Sequence, residues 1–402
     1  MHAWASDPSR LPTSRNRAET TEKGISGHPE AISEMSGRQI TLEDRDLLIG
    51  RDDLILITGA TGFIGSRLVR TLIDLGFRNL RCFARSRSAE LFFESGAFSD
   101  DSIAGVLGQA ARFEVFRGNL LSREDCDAAT RGAAVIFHLA AGRGEKSISE
   151  AFRNSVVTTR NLLEAGARHG CLKRFANVGS FSVYSNRHKS GRRLLDESCQ
   201  LETHPELRGD AYTFAKTKQD ELVAEYASRF AIPYVIVRPG YVIGPGNPGM
   251  SARVGIGTFG MFLHLGGSNR IPFTYVDNCA DAIVLAGLTK GVDGEVFNIV
   301  DDDLPSSREF LRLYKREVRR FKSIFIPHFL SFALCYLWEK YSACSQGQLP
   351  PAFNRRVWHA YWKKTKYSNA KLKSRLGWQP RISMAEGLRR HFEACRDGTR
   401  YA

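Results

Sequence analysis

The first strong hydrophobic signal along the chain is Leu54-Ile55-Leu56-Ile57-Thr58, a short apolar run ended by Gly59. A run of this length closed by glycine predicts a strand buried on both faces, as in a parallel sheet. From Ser66 to Leu75 the apolar residues Leu68, Val69, Leu72 and Ile73 recur at helical spacing, which predicts a helix. The alternation then repeats. Further strands are expected at Asn79–Ala84, Arg112–Arg117, Val135–Leu139, Phe175–Val178 and Tyr234–Val237. Further helices are expected at Asp125–Arg131, Ile148–His169 and Tyr212–Phe230. Six strands alternating with helices over about 190 residues, with no internal repeat, predict an α/β fold built on a doubly wound parallel sheet.

Residues 1 to about 48 lack this patterning. They are rich in Ser, Thr, Glu, Arg and Gly, and poor in large apolar side chains. A disordered leader is expected there, without the apolar stretch of a secretory signal.

Composition adds limits. The 402 residues are 43% hydrophobic and 25% charged, as in ordinary globular proteins. The eight cysteines are scattered, with no CxxC pair and no Cys/His cluster of metal-ligand spacing. They read as thiols in a reducing, cytoplasmic compartment, and no metal is expected. The net charge of +14 is uneven. From Leu311 onwards there are 20 Lys/Arg against 5 Asp/Glu, and the rest of the chain carries 37 against 38. A nearly neutral core argues against nucleic acid as the main partner.

The first candidate chemistry follows the first strand. Gly59, Gly62 and Gly65 form G-x-x-G-x-x-G between a strand and a helix. The first glycine permits a tight turn, the second a close approach of backbone to a pyrophosphate, and the third close packing of helix on sheet. The helix N-terminus then offers unpaired N–H groups and partial positive charge to phosphates. Thr61, Phe63 and Ile64 lie in the same loop and are expected to touch the dinucleotide. An acid after the second strand would hold ribose hydroxyls, but this chain has Ala84-Arg85-Ser86-Arg87. Arg85 suits a 2′-phosphate, so NADP is favoured over NAD. A solvated basic turn is the plainer alternative. Asn119 and Leu120, after the third strand, are expected beside the adenine.

Tyr212 and Lys216 are four residues apart, on one face of a helix. A phenol of ordinary pKa near 10 is a poor base at neutral pH, and a neighbouring ammonium favours its phenolate. Such a pair can exchange a proton with a substrate oxygen while hydride moves to or from a nicotinamide. Ser180 follows the fifth strand, at the sheet end where ligands gather. Its hydroxyl is placed to hold the substrate oxygen, with Ser182 as the rival position.

The ordered set Gly59–Gly65, His138-Leu139-Ala140-Ala141, Ser180 with Val183-Tyr184, Tyr212/Lys216 and Arg238-Pro239-Gly240 resembles the extended short-chain dehydrogenase/reductase superfamily. The resemblance covers roughly residues 53–395 and is specific as a set. It implies a Rossmann-type domain at 49–240 and a smaller substrate-capping region at 241–402, interleaved with the last core elements. It implies catalytic roles for Ser180, Tyr212 and Lys216. It places His138, Leu139, Ala140, Ala141, Pro239 and Gly240 against the cofactor, beside contacts from Tyr212 and Lys216, and it implies a homodimer through the two long helices. Asn119 stands where the family usually has Asp, and Ser185 where Gly is usual.

Sugar-nucleotide epimerases and dehydratases usually carry an Arg four residues before the Tyr of a later Y-V-D-D segment. Here that position, four before Tyr275, is Ile271, with Arg270 adjacent but off register. Phe273-Thr274-Tyr275-Val276-Asp277-Asn278 instead resembles the 3-beta-hydroxysteroid dehydrogenase-like branch. The expected function is therefore NAD(P)-dependent hydride transfer on a secondary alcohol or ketone of a sterol-like or other lipid-like substrate. A nucleotide-sugar epimerase, dehydratase or reductase is the alternative, and a cofactor-sensing protein without turnover is a third reading. Ile324–Trp338 is apolar but shorter than the ~20 residues that span a bilayer. It is expected to be either a buried lid helix or, with the cations and aromatics of 319–322 and 355–364, a peripheral contact to an anionic membrane. The segment from Tyr367 to Pro380 resembles the superfamily's closing segment over the substrate side.

Overall fold

The computed structural model describes residues 47–85, 112–142, 144–145, 147–187, 194–247, 249–258, 260–345, 348–349 and 353–397. Its centre is a seven-stranded sheet in which every pairing is parallel. The chain lays down β1 (Ile55–Thr58), α1 (Phe63–Asp74), β2 (Asn79–Ala84), β3 (Arg112–Arg117), α2 (Arg123–Thr130) and β4 (Val135–His138). A long helical run follows, α3, in which Ile148–Ala151 and Thr158–His169 are joined by a π-helical stretch at Phe152–Val157. Then come β5 (Arg174–Val178), the short β6 (Leu194–Leu195), α4 (Ala211–Phe230), β7 (Tyr234–Pro239) and β8 (Tyr241–Ile243).

Beyond β8 the chain adds β9 (Gly255–Thr258), β10 (Met261–His264), β11 (Phe273–Tyr275), α5 (Val276–Leu288), β12 (Glu295–Ile299) and α6 (Ser307–Glu317). It ends with β13 (Ser323–Phe325), α7 (His328–Cys344), α8 (Arg355–Tyr361), β14 (Lys366–Tyr367), α9 (Ala370–Leu376) and α10 (Met384–Asp397).

The strand order is β12-β7-β5-β4-β1-β2-β3. Period-2 alternation divides each central strand between two cores. Ile55, Ile57, Val135, Phe137, Val235 and Val237 meet α1 and α5 on one face, with Leu68, Val69, Leu72, Ile283 and Leu285. Leu56, Ile136 and Ile236 meet α2, α3 and α4 on the other, with Ala129, Leu162, Leu163 and Val223. Each such buried side chain contributes about 1.5–3 kcal/mol of transfer free energy. Two-sided burial explains the unbroken apolar runs of the sequence.

Three expectations need correction. The sheet has a seventh strand, β12, which the sequence reading lacked; Glu295 and Asn298 break its apolar run. The folded body begins before residue 49, because Leu48 donates its N–H to the Leu288 carbonyl at 2.9 Å and Leu47 bridges Thr289. Residues 1–46 lie outside the described residues, as do Ser86 and Arg87 of the basic turn. Finally, 324–338 is not a buried lid: it is part of β13 and α7, and only Ser331, Cys335 and Ser342 of α7 are buried.

Candidate functional site

After β2 and β3 the chain crosses back to place β4 on the other side of β1, so the crevice between β1 and β4 is the switch point of the sheet. The glycine loop leaves β1 there. Gly59 has a left-handed backbone, φ +72°, and an added Cβ would lie 2.9 Å from the Ala140 amide nitrogen, so the loops after β1 and β4 touch. At Gly65 a Cβ would lie 2.0 Å from the Gly59 carbonyl oxygen. Gly62 caps α1 in extended conformation without a side-chain hydrogen bond, and no acid occupies the first turn. The helix end therefore keeps its positive character, and the loop keeps the close backbone approach that a pyrophosphate needs. The residues present fit a dinucleotide.

The other expected cofactor residues surround this crevice. Arg85 stands exposed one residue past β2. Asn119 follows β3, but its side-chain oxygen accepts the Leu121 N–H at 3.0 Å, and its own N–H donates to Asp125. Leu120 is buried, and its carbonyl accepts from Asn161 at 2.9 Å. Leu139, Ala140 and Ala141 form the half-buried loop after β4, and Ala140 donates its N–H to the Thr58 hydroxyl. Pro239 ends β7, and Gly240 donates its N–H to the Ile299 carbonyl while packing on Pro272. The His138 ring is buried among protein partners, with Nδ1 2.8 Å from the Thr58 hydroxyl and Nε2 2.8 Å from that of Thr159. Burial, with the nearby Lys216 ammonium, pushes it down to about 3, so it stays neutral at working pH.

Tyr212 and Lys216 sit in the first two turns of α4. Asp210 caps this helix, accepting the Tyr212 N–H at 3.1 Å and the Thr213 hydroxyl at 2.5 Å. The Lys216 side chain is buried; Nζ donates to the Val178 carbonyl at 2.7 Å and to Gln219 Oε1 at 3.0 Å. Val178 ends β5, so this bond ties the Tyr212/Lys216 helix to the strand that precedes Ser180. The Ser180 hydroxyl accepts the Ser182 N–H at 3.1 Å and caps a single 3-10 turn. The Ser182 hydroxyl is buried without a hydrogen-bond partner among the described residues. Both serines thus remain beside the site, with Ser182 the one whose hydroxyl still needs a partner.

Behind these groups lie residues that sequence reasoning missed, Gln219 and Asp220 among them. Gln219 accepts from Lys216 and donates to the Thr159 hydroxyl at 2.7 Å, joining the lysine to the Thr159–His138–Thr58 chain and so to the end of β1. Asp220 takes Arg238 Nε at 2.9 Å and Asn177 at 3.1 Å. Arg238 also donates to the Tyr184 hydroxyl, which donates to Asn298. The only sequence signal was that Asp220 stands four residues after Lys216, one helical turn further along the same face.

The C-terminal region packs on one side of these residues. Tyr361 of α8 donates to Asp210 at 3.3 Å, and the guanidinium carbons of Arg208 and Arg253 lie 5.2 and 5.0 Å from its ring centroid. Arg208 is 1% exposed and donates Nη1 to the Ser182 carbonyl, yet its Nε and Nη2 find no partner among the described residues. Tyr367 stacks on Phe181, centroids 5.7 Å apart, so the closing segment reaches the turn after Ser180. Its later part meets the Phe273–Asn278 string: Trp378 donates to the Asn278 carbonyl, and the Asn278 side chain pairs with the Ile382 backbone.

A doubly wound sheet with a glycine loop at its switch point, and a Tyr/Lys helix one strand beyond, defines the class of Rossmann-type dinucleotide-binding proteins. Residues 55–300 match the NAD dependent epimerase/dehydratase family, and the chain belongs to that family. It is 26% identical to 3beta-hydroxysteroid-dehydrogenase/decarboxylase isoform 2 of Arabidopsis thaliana, over 84% of this chain and 61% of that protein. It is 28% identical to 2-alkyl-3-oxoalkanoate reductase of Stenotrophomonas maltophilia, over 84% of this chain and 97% of that protein. The fold is also that of UDP-glucuronic acid 4-epimerase from Bacillus cereus, solved in complex with UDP-glucuronic acid and NAD. The TM-score is 0.60 at 22% identity, covering 86% of this chain and 99% of that one.

Proposed function

We infer that the chain is an NAD(P)-dependent oxidoreductase that transfers hydride on a secondary alcohol or ketone of a lipid-like substrate. The observation that carries this reading is the bond from Lys216 to the Val178 carbonyl, which fixes the Tyr212 helix against the strand end bearing Ser180. The strand between that end and the glycine loop is β4 alone. The bound dinucleotide supplies or accepts the hydride. Tyr212 moves the proton at the substrate oxygen, the Lys216 ammonium favours its phenolate, and the hydroxyl of Ser180 or Ser182 holds that oxygen in place. Arg85, exposed after β2, favours NADP through charge-assisted bonds to a 2′-phosphate. The names of the two curated relatives, a hydroxysteroid dehydrogenase/decarboxylase and an oxoalkanoate reductase, support an apolar substrate. Free thiols at all eight cysteines agree with a cytoplasmic setting.

One observation favours a second reading. The buried Arg208, two of whose nitrogens have no partner among the described residues, suits an anionic group such as the diphosphate of a nucleotide sugar. The experiment that separates the two is turnover, followed by nicotinamide absorbance, with hydroxysteroids and 3-oxoalkanoates against UDP- and GDP-sugars, with NADP and NAD in parallel. Turnover or thermal protection by the sugars alone overturns the lipid reading.

A further inference from the structure

We propose that α7 and the strand before it form an interfacial docking surface, by which the protein lies on anionic membranes beside its own substrate cap. The helix exposes an apolar face. Phe329 is 78% exposed, Leu337 61% and Tyr341 62%, with Leu330, Leu334 and Tyr336 also exposed. Ile324 and Phe325 of the preceding β13 are also exposed. Lone exposed apolar residues are ordinary, but a contiguous set on successive turns of one helix marks a binding surface.

The inward side is anchored. Ser331, Cys335 and Ser342 are buried; Phe332 packs on Trp358 at 5.0 Å between centroids, and Trp358 donates to the Ser331 hydroxyl. The exposed stripe is therefore the outer face of a helix already packed on α8, not a detached segment.

Charge selects the occupant. Between Val318 and Ser345 the sequence has four Lys/Arg and one acid, Glu339. Arg355 holds that acid in a two-pronged pair, at 3.0 Å from each nitrogen. Exposed Arg319, Arg320 and Lys322 lead into β13, and Lys340 stands on α7 itself. An apolar stripe rimmed by cations is complementary to anionic headgroups over acyl chains. A second copy of this chain fits less well, because a two-fold contact brings the same basic rim against itself. At 17 residues α7 is about 25 Å long, and no helix among the described residues is long and apolar enough to cross a membrane. The helix lies in the interface.

The placement matters for access. Phe332 touches α8 through Trp358, and Tyr361 of α8 bonds to the Asp210 cap of the Tyr212 helix. A membrane under α7 thus borders the capping helix of the site. The docking does not depend on the lipid-substrate reading.

The test is flotation of the full chain with vesicles of phosphatidylcholine alone or with about a third phosphatidylserine. The protein is expected to float with the anionic vesicles, less so at high salt, and hardly with the neutral ones. Phe329→Ser with Leu337→Ser is expected to reduce binding by about 10-fold or more, since each removes a large apolar side chain from the interface. Lys322→Glu with Lys340→Glu is expected to reduce binding to anionic vesicles alone. All four positions are exposed, and an unchanged melting temperature verifies the fold. Failure of the parent chain to float overturns the proposal. So does a concentration-dependent dimer, seen by sedimentation, that the Phe329/Leu337 variant abolishes while vesicle binding persists. Vesicle binding without turnover of any lipid-like alcohol leaves docking standing and removes the substrate reading.

Discussion

Arg238 and Asp220 form a buried ion pair, Nε to Oδ2 at 2.9 Å, directly beneath the backbone that presents Ser180. A Cβ on Gly179 would lie 2.8 Å from Asp220 Oδ1 and 3.3 Å from Arg238 Cγ, so the pair is the floor of the Gly179–Ser180 turn. Burial raises the Asp220 carboxyl above its usual range, against the pull of Arg238. Asn177 and Arg238 each donate to one of its two oxygens.

Removing one partner leaves the other charge buried. Asp220→Ala is expected to destabilise the fold by about 3–5 kcal/mol, and Arg238→Met similarly. The double variant is expected to recover much of that loss. Denaturant unfolding of the two singles and the double gives the coupling. Additive losses would mean that the pair does not act as a unit.

Tyr212→Phe keeps the helix and its Asp210 cap, because only the hydroxyl is lost. Turnover is expected to fall about 10²–10⁴-fold, the range for removal of an acid–base group, with dinucleotide affinity little changed. Equilibrium binding of the reduced cofactor, followed by fluorescence, separates the two effects. Turnover within a few-fold of the parent would take Tyr212 out of the mechanism.

Gly65→Ala tests the cofactor loop. Its Cβ would meet the Gly59 carbonyl at 2.0 Å, backbone that cannot swing aside. The loop must open, so dinucleotide affinity is expected to fall at least about 10-fold, with a stability loss in the 1–3 kcal/mol range of overpacked sites. Titration calorimetry and thermal melting read both quantities.

Arg85→Asp removes the cation after β2 and installs a ribose-binding acid. The ratio of kcat/KM for NADP over NAD is expected to fall by about 10-fold or more, the scale of one lost hydrogen bond to a charged group. An unchanged ratio would make Arg85 a solvated turn residue.

The legible parts of the molecule were those whose cause is local. Leu54–Thr58 and Val135–Leu139 read as strands because both faces of β1 and β4 are buried, and Gly59 and Gly65 were readable because only glycine fits their backbone contacts. β12 was not legible. Glu295 and Asn298 interrupt its apolar pattern, and each has distant partners, Lys371 and Arg375 for the first and Tyr184 for the second. Gln219 looked like an ordinary helix residue, yet it bridges Lys216 to Thr159, which lies 60 positions away. His138 sits in a motif that implied a cofactor contact, and only the folded structure reveals that Thr58 and Thr159 occupy both ring nitrogens. The apolar run at 324–338 was visible, but which side of a helix meets the protein is a tertiary property.

Asp301 links the string at Phe273–Asn278 to pH. Its carboxyl accepts the Thr274 hydroxyl at 2.8 Å, the Tyr275 N–H at 3.0 Å and Asn278 Nδ2 at 2.7 Å. Burial nonetheless pushes it up to about 6, the donors only partly opposing the shift. The unfolded carboxyl titrates near 3.9. Between those values the folded form holds a proton that the unfolded form has lost, so this group's contribution is complete below about pH 4 and is lost as pH rises through about 6. Asp301→Asn is expected to be less stable overall, because its amide N–H₂ faces donors. Its stability curve between pH 4 and 6 is also expected to rise more steeply than the parent's, by up to about 1.4 kcal/mol per pH unit, the linkage limit for one proton. Urea unfolding of both proteins across that range measures the difference. Parallel curves would show that Asp301 is ionised throughout and that its three donors outweigh its burial.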